Sequence, residues 1–415
     1  MTHRPLRRIS GVAMASVLVL GTLAVTPAQA DTDTSVPTTA TSTVEEVSEV
    51  AAQLGVPQDI WAGITERDRA QLTEIAPLFP DRRLQPQTDK DLVESPLRET
   101  LISRLRAAIN PADYECAPTA LNDYIDGLIA ELSFFQIIVL GLLTHGLDYP
   151  TYDALFHGTP GAPDYTLHPD YADRLSRAFH TADRFWDVDT SDVQLLAMQG
   201  DMLADTERVR KMVIYFGDSS PAGAPAIAKL VVNTTAGLVG GYDNPLLTLN
   251  AYAFTAEGDP DPDVQGLPDK LVFGDGILES LEAIGLGDAG PQAVMGHEFG
   301  HHVQFELGQA TGGSPELTRR SELEADFLAT YFVAHKRGLA RNDRRVVDSI
   351  VSFGAVGDCN FTSNGHHGTP NQRRKAAEAG AALAETGSNG TMLPAKAAVA
   401  EFAKVLPTIL LPDAP

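Results

Sequence analysis

Residues 297–301 read His297-Glu298-Phe299-Gly300-His301, and this H-E-x-x-H stretch constrains the chain more than any other. It lies in a block, 291–308, whose pattern predicts a helix, with Pro291 suited to the first turn. Side chains four apart on a helix stand about 40° apart around its axis, so both imidazoles face one way. One rigid turn then offers two nitrogens to a single zinc ion. Glu298 stands at the edge of the same face, near the metal without binding it. That is the place for a base that takes a proton from an activated water. The plainer alternative is two ordinary histidines on an amphipathic helix.

A second stretch weakens that alternative. A catalytic zinc takes three protein ligands and keeps one position open. Ser321-Glu322-Leu323-Glu324-Ala325-Asp326 falls in the next predicted helix, 316–338, where Glu322 and Asp326 share a face. Gly308, Gly312 and Gly313 supply a turn that brings this helix back on the first. Glu322 is therefore the expected third ligand. Asp326, one turn on, is placed to accept a hydrogen bond from a ligand histidine. Glu324, about 200° round from Glu322, is expected to face elsewhere, and His302 is not expected to reach the metal with its neighbours. The remaining histidines, His145, His157, His168, His180 and His335, read as solvated or satisfied residues.

Taken together and in this order, HEFGHHVQ (297–304), ELEADF (322–327), the Gly-Asp at 357–358 and HGTPNQR (367–373) resemble the neutral zinc metallopeptidase family. That family is similar to the gluzincin group, and the resemblance covers about 291–386. It implies His297, His301 and Glu322 as zinc ligands, Glu298 as general base and Asp326 as the partner of a ligand histidine. It also aligns His367 with the family's His-Gly pair. His367 is then a candidate donor to the charge that builds on the scissile carbonyl oxygen, with Asp358 or Arg373 orienting it or sharing the work. A loop or helix-capping histidine is the even alternative. Where the family has a second acid after Gly357-Asp358, this chain has Cys359. The fold expected is α+β and predominantly helical: a zincin-like domain with a small sheet on two metal-bearing helices, preceded by a mostly helical region.

The first residues carry Arg4, Arg7 and Arg8 and no acid, an apolar run follows from Ile9 to Thr26, and Ala28-Gln29-Ala30 is a small-x-small cleavage sequence. This pattern predicts a secretory signal peptide over 1–30, the alternative being an uncleaved membrane anchor. Secretion places the two cysteines, Cys116 and Cys359, in an oxidising compartment, where their available partner is each other. Such a bridge would tie the two halves of the chain; a thiolate ligand at the metal is the lesser alternative. Two cysteines are too few for a disulfide-stapled scaffold or a Cys-rich zinc finger.

Lys and Arg total 31 against 55 Asp and Glu, a net charge of −24. Phosphate backbones and anionic membrane surfaces repel such a chain, which argues against a nucleic-acid partner and, after signal cleavage, a membrane. Thr-rich 31–44 reads as a flexible linker. Residues 45–220 read as a mostly helical region of unassigned role: a pro-segment, a specificity domain or part of the core. It includes an apolar run at 134–143, expected to be a buried helix, and a long helical pattern over 171–216. The turn-rich 217–225 is a plausible boundary before a metallopeptidase-like domain, 221–390, and a C-terminal helix or tail, 391–415. Strands are expected in 244–255 and 270–277, and helices over 343–356 and 370–386. Between the strands, Asp259, Asp261, Asp263 and Asp269 are spaced acids of a kind that can hold Ca2+. Proline in two spacer positions makes a solvated acidic loop the default.

The leading expectation is a secreted zinc metallopeptidase that hydrolyses peptide bonds in a peptide or protein substrate. The alternatives are a zinc-dependent hydrolase of a non-protein amide or cell-wall substrate, and a non-catalytic secreted zinc-binding scaffold. Oligomeric state leaves no mark in the sequence.

Overall fold

Side-chain caps mark where many of the helices begin. In a computed structural model, which describes residues 44–56, 61, 64–79, 119–259, 261–355, 367–386 and 390–411, Thr119 and Asn122 form a reciprocal capping box. Ser133 and Gln136 form another, Asp205 accepts the amides of Glu207 and Arg208, and Ser314 accepts that of Leu317. Each satisfies backbone donors that a helix start leaves open. The helices are α1 (Val44–Leu54), α2 (Glu66–Ile75), α3 (Ala120–Ala130), α4 (Phe134–Ile137), α5 (Tyr149–His157), α6 (Pro169–Phe185) and α7 (Thr206–Tyr215). After them come α8 (Ala224–Ala236), α9 (Asp275–Ala283), α10 (Gly290–Glu306), α11 (Pro315–Ala334), α12 (Asp343–Ala355), α13 (Pro370–Thr386) and α14 (Ala395–Ile409). The protein is predominantly helical, with one small sheet.

That sheet has three strands, β1 (Gln194–Met198), β2 (Ala251–Phe254) and β3 (Lys270–Gly274), in the order β1-β3-β2. β1 pairs with β3 in parallel, Leu196 opposite Val272, and β2 pairs with β3 antiparallel, Tyr252 opposite Val272. β1 corrects the long helix expected over 171–216, which instead ends at Phe185. Residues 193–198, VQLLAM, form a short apolar run, and a strand buried in a parallel pair carries no alternation to distinguish it from a buried helix. The strand expected over 244–255 is also shorter. Pro245 starts a 3-10 turn over Pro245–Thr248, held by the Asn244 side chain on the amide of Leu246, and pairing begins only at Ala251. β3 and the start of α9 fall within the expected 270–277 segment.

The sheet joins residues on both sides of position 220, since β1 precedes that turn and β3 follows it. One continuous apolar core runs from Ala51 to Ile409. The apolar run at 134–143 is part of it: α4 passes into a π-helical turn over Ile138–Leu143, with Ile138, Val139, Leu140 and Leu143 buried. Among the described residues no single helix is long and apolar enough to cross a membrane. Residues 1–43, which hold the expected signal sequence and nearly all of the linker, lie outside the described residues, as do Cys116, Asp358 and Cys359.

Helix α10 is buried on every side, from Gly290 to Gln304. Phe299 packs edge-on to Phe179 of α6, with ring centroids 6.0 Å apart. Burial of a Phe side chain contributes about 1.5–3 kcal/mol. On another side α10 meets α11 at unusually close range. A Cβ added at Gly296 would lie 3.3 Å from the Cα of Ala329, and one at Gly300 would lie 3.2 Å from the Cα of Ala325. Two glycines one turn apart on α10 thus face two alanines one turn apart on α11. This small-residue seam sets the distance at which the two helices can share a site.

Candidate metal centre

The seam puts Glu322 of α11 against the two histidines of α10. Glu322 Oε2 is 3.3 Å from His297 Nε2, Glu322 Oε1 is 3.3 Å from His301 Nε2, and the two Nε2 atoms are 3.1 Å apart. Donors about 2.0–2.1 Å from a tetrahedral ion stand about 3.3 Å from one another, so each imidazole lies at such a separation from one or the other carboxylate oxygen. All three residues are at most 1% exposed. Neither Glu322 oxygen has a hydrogen bond of good geometry. Two buried imidazole nitrogens and a buried carboxylate converge on one point, and a positive charge is needed among them. This group could hold a metal ion.

Each histidine is aimed by a partner on its far nitrogen. His297 Nδ1 stands 2.8 Å from Asp326 Oδ1, a close charged pair. His301 Nδ1 donates to Gln304 Oε1 at 2.8 Å, and the Gln304 amide nitrogen donates to the Ser321 carbonyl and to Glu324 Oε1. Both contacts put the proton on Nδ1 and leave the Nε2 lone pair facing the centre. Asp326 is itself gripped by Arg373 of α13, whose Nε and a terminal nitrogen donate to its two oxygens at 2.7 Å each. Arg373 is fully buried and also lies 3.8 Å from Glu322. It contacts Asp326 and Glu322, so it supports His297 through Asp326. Asp358 lies outside the described residues.

The electrostatics follow from burial opposed by these partners. Burial pushes the His297 imidazole down, but Asp326 and Glu322 outweigh it and raise it to about 9. Burial lowers His301, against the pull of Glu322. For Glu322 burial acts upward, yet His301 and His297 hold its carboxyl well below the usual range. Asp326 is likewise held low by Arg373 and His297 despite burial. Glu298 lacks such help. It is fully buried, neither oxygen has a well-formed hydrogen bond, the nearby backbone amide is that of Ala253 on β2, and burial pushes its carboxyl up to about 8 against the pull of His297. A divalent cation beside it would reverse that logic and favour the carboxylate.

His367 precedes α13, whose start is a box formed by Thr369 and Gln372. Gly368, at φ +98°, sits with its α-hydrogens toward Leu323 of α11, a turn that a side chain would strain. His367 is buried, and its charge acts on Glu322. It is not one of the three donors that meet within bonding reach. Glu324, expected to face elsewhere, is not among the donors. It does face away from the three donors, but it is buried against α10, bonded to Gln304, with burial raising it to about 7. From Ser321 to Val333 α11 is buried on every side, so no direction around Glu324 is solvent. Gln304, Glu324, Gly296, Gly300 and Phe353, whose ring lies 5.8 Å from His297, were not singled out by the motif. Only the small-x-x-x-small spacing of the two glycines was legible as a signal.

The acidic loop behaves locally. Asp259 accepts the amide of Asp261, and Asp261 that of Asp263, as side chains do in turns. Asp269 is different: it meets His302 on α10. Comparison with protein families, with characterised proteins and with solved structures finds no match to this chain.

Proposed function

We propose that the protein is a secreted zinc-dependent metallopeptidase. The observation that carries this reading is one constellation: two imidazoles 3.1 Å apart, each 3.3 Å from an oxygen of Glu322, with a fourth side chain, the acid Glu298, close by and left without a well-formed hydrogen bond. Two imidazoles and a carboxylate suit zinc, and three protein ligands leave a position open. Zinc held by His297, His301 and Glu322 would polarise a peptide carbonyl and ease deprotonation of water. Glu298 is the base that takes the proton and passes it to the leaving amine. Asp326 with Arg373, and Gln304, hold the two imidazoles in the tautomer the reaction requires. His367 is the candidate donor to the carbonyl oxygen. The zincin-like fold and the neutral zinc metallopeptidase family belong to the same proposal. They are supported by the order of the motifs and by an antiparallel edge strand, β2, beside the helix that bears H-E-x-x-H.

Burial favours a second reading. Glu298 and the three donors are at most 1% exposed, so a peptide needs an opening before it can reach them. A non-catalytic zinc-binding scaffold needs none. A non-protein amide or cell-wall substrate would use the same groups as a peptide, and a substrate-profiling digest separates those two. The decisive comparison is between the wild type and Glu298→Gln, both loaded with zinc and offered a mixed peptide library. The peptidase reading expects equal zinc content and a loss of hydrolysis of at least a hundredfold in the variant. Equal hydrolysis by the two, or none by either after limited proteolysis to open the chain, would overturn it.

A further inference from the structure

The residue after His301 belongs to another donor set. His302 of α10 is about 1% exposed and lies about 100° round the helix from His301 and about 140° from His297. Its Nε2 is 2.8 Å from the backbone carbonyl of Asp189, which can only accept, so Nε2 carries a proton. Its Nδ1 is 3.1 Å from Asp269 Oδ2. In the neutral ring that nitrogen presents a lone pair to a carboxylate, an arrangement that requires a cation between them or a second proton on the ring. Glu306, one turn further on the same helix and partly exposed, brings a second carboxylate, and one ligand atom from each of the three residues lies within 4.8 Å of the others.

The setting calls for positive charge. Glu306 occupies the last turn of α10, where the helix dipole is negative and no basic residue stands. The charged groups acting on Glu306 are His302, Asp269 and Asp189. An imidazole whose far N–H is fixed by a backbone carbonyl, flanked by two carboxylates, is the donor arrangement of a metal site with its orienting partner already in place. We propose that Asp269, His302 and Glu306 form a second divalent-cation site, separate from the H-E-x-x-H centre, that ties the end of α10 to the root of β3. One nitrogen with two carboxylates suits Zn2+ or Mn2+ and disfavours Ca2+ and Mg2+, which take oxygen donors. Asp269 immediately precedes β3, and its carbonyl accepts the amide of Gln194 at the start of β1. A cation here therefore clamps the metal-bearing helix to both strands of the parallel pair.

The test counts ions in the full chain. Wild type, His297→Ala, His302→Gln and Glu306→Gln are each loaded with Zn2+, passed through a desalting column and assayed for bound metal by mass spectrometry. Two ions in the wild type and one in each variant are expected. Glu306→Gln changes a partly exposed side chain, so the result does not depend on His302→Gln folding. One ion in the wild type, lost with His297→Ala and kept in Glu306→Gln, would overturn the second site and leave an imidazolium–carboxylate pair only. One ion in the wild type, kept in His297→Ala and lost in Glu306→Gln, would sink the first centre and sustain this one. No retained ion would overturn both.

Discussion

Asp326→Asn tests the support of the first centre most sharply. Asp326 accepts two hydrogen bonds from Arg373 and stands 2.8 Å from His297 Nδ1, and all three groups are buried. Asparagine can keep an oxygen toward His297 and one Arg373 donor. Its NH2 then faces the Nε–H of Arg373, donor against donor. The guanidinium thereby loses one of its two bonds to this carboxylate, while Glu322 stays 3.8 Å away. Weakening one partner of a buried pair costs about 3–5 kcal/mol, because the attraction is lost while both groups stay buried. The variant should therefore lose about 3–5 kcal/mol in urea denaturation of metal-free protein, with the slope against denaturant unchanged. Zinc affinity should fall about 10- to 100-fold, as for other partners of ligand histidines. Adding Arg373→Met removes the mismatched donor, so the double variant should recover part of the lost stability while zinc affinity stays low. A single-variant loss below about 1 kcal/mol, or a double variant no more stable than the single, would refute the argument.

Other outcomes follow from the same geometry. Zinc must displace the proton that Asp326 and Glu322 hold on His297, so below about pH 9 the apparent affinity should fall about tenfold per pH unit, and more steeply below about pH 8, where Glu298 is protonated too. Calorimetry in buffers of different ionisation enthalpy should find about two protons released per ion at pH 7, one from His297 and one from Glu298. Lys270 donates to the carbonyls of Ala154, Leu155 and Gly158 at the end of α5, and burial lowers its amine to about 8. The unfolded chain thus binds more protons than the folded one between about pH 8 and the ordinary lysine value. The wild type should gain stability over Lys270→Met across that window, and a difference flat in pH would count against the assignment. A Cβ at Gly380 would meet the Phe327 carbonyl oxygen at 2.1 Å, so Gly380→Ala should force α13 off α11 and lower the thermal midpoint markedly. Gly300→Ala, with its nearest contact at 3.2 Å, should cost less stability but weaken zinc binding by moving Glu322 outward.

Much of this protein was legible because it is local. Five residues, 297–301, determine that two imidazoles share one helical face, since that follows from helix geometry alone. The helix blocks from Pro291 onward, and Ser314 before α11, are likewise written in periodicity and capping, which act over a few residues. The tertiary structure decided what depends on approach. The Gly296–Gly300 and Ala325–Ala329 seam sets how near Glu322 comes, Arg373 reaches Asp326 from a third helix, and Asp269 meets His302 from the start of a strand. β1 was hidden in an expected helix because a buried parallel strand has no alternation, and only its pairing with β3 distinguishes the two. Periodicity records which residues turn inward; it does not record what they meet there, because contacts between distant segments follow from how whole elements pack.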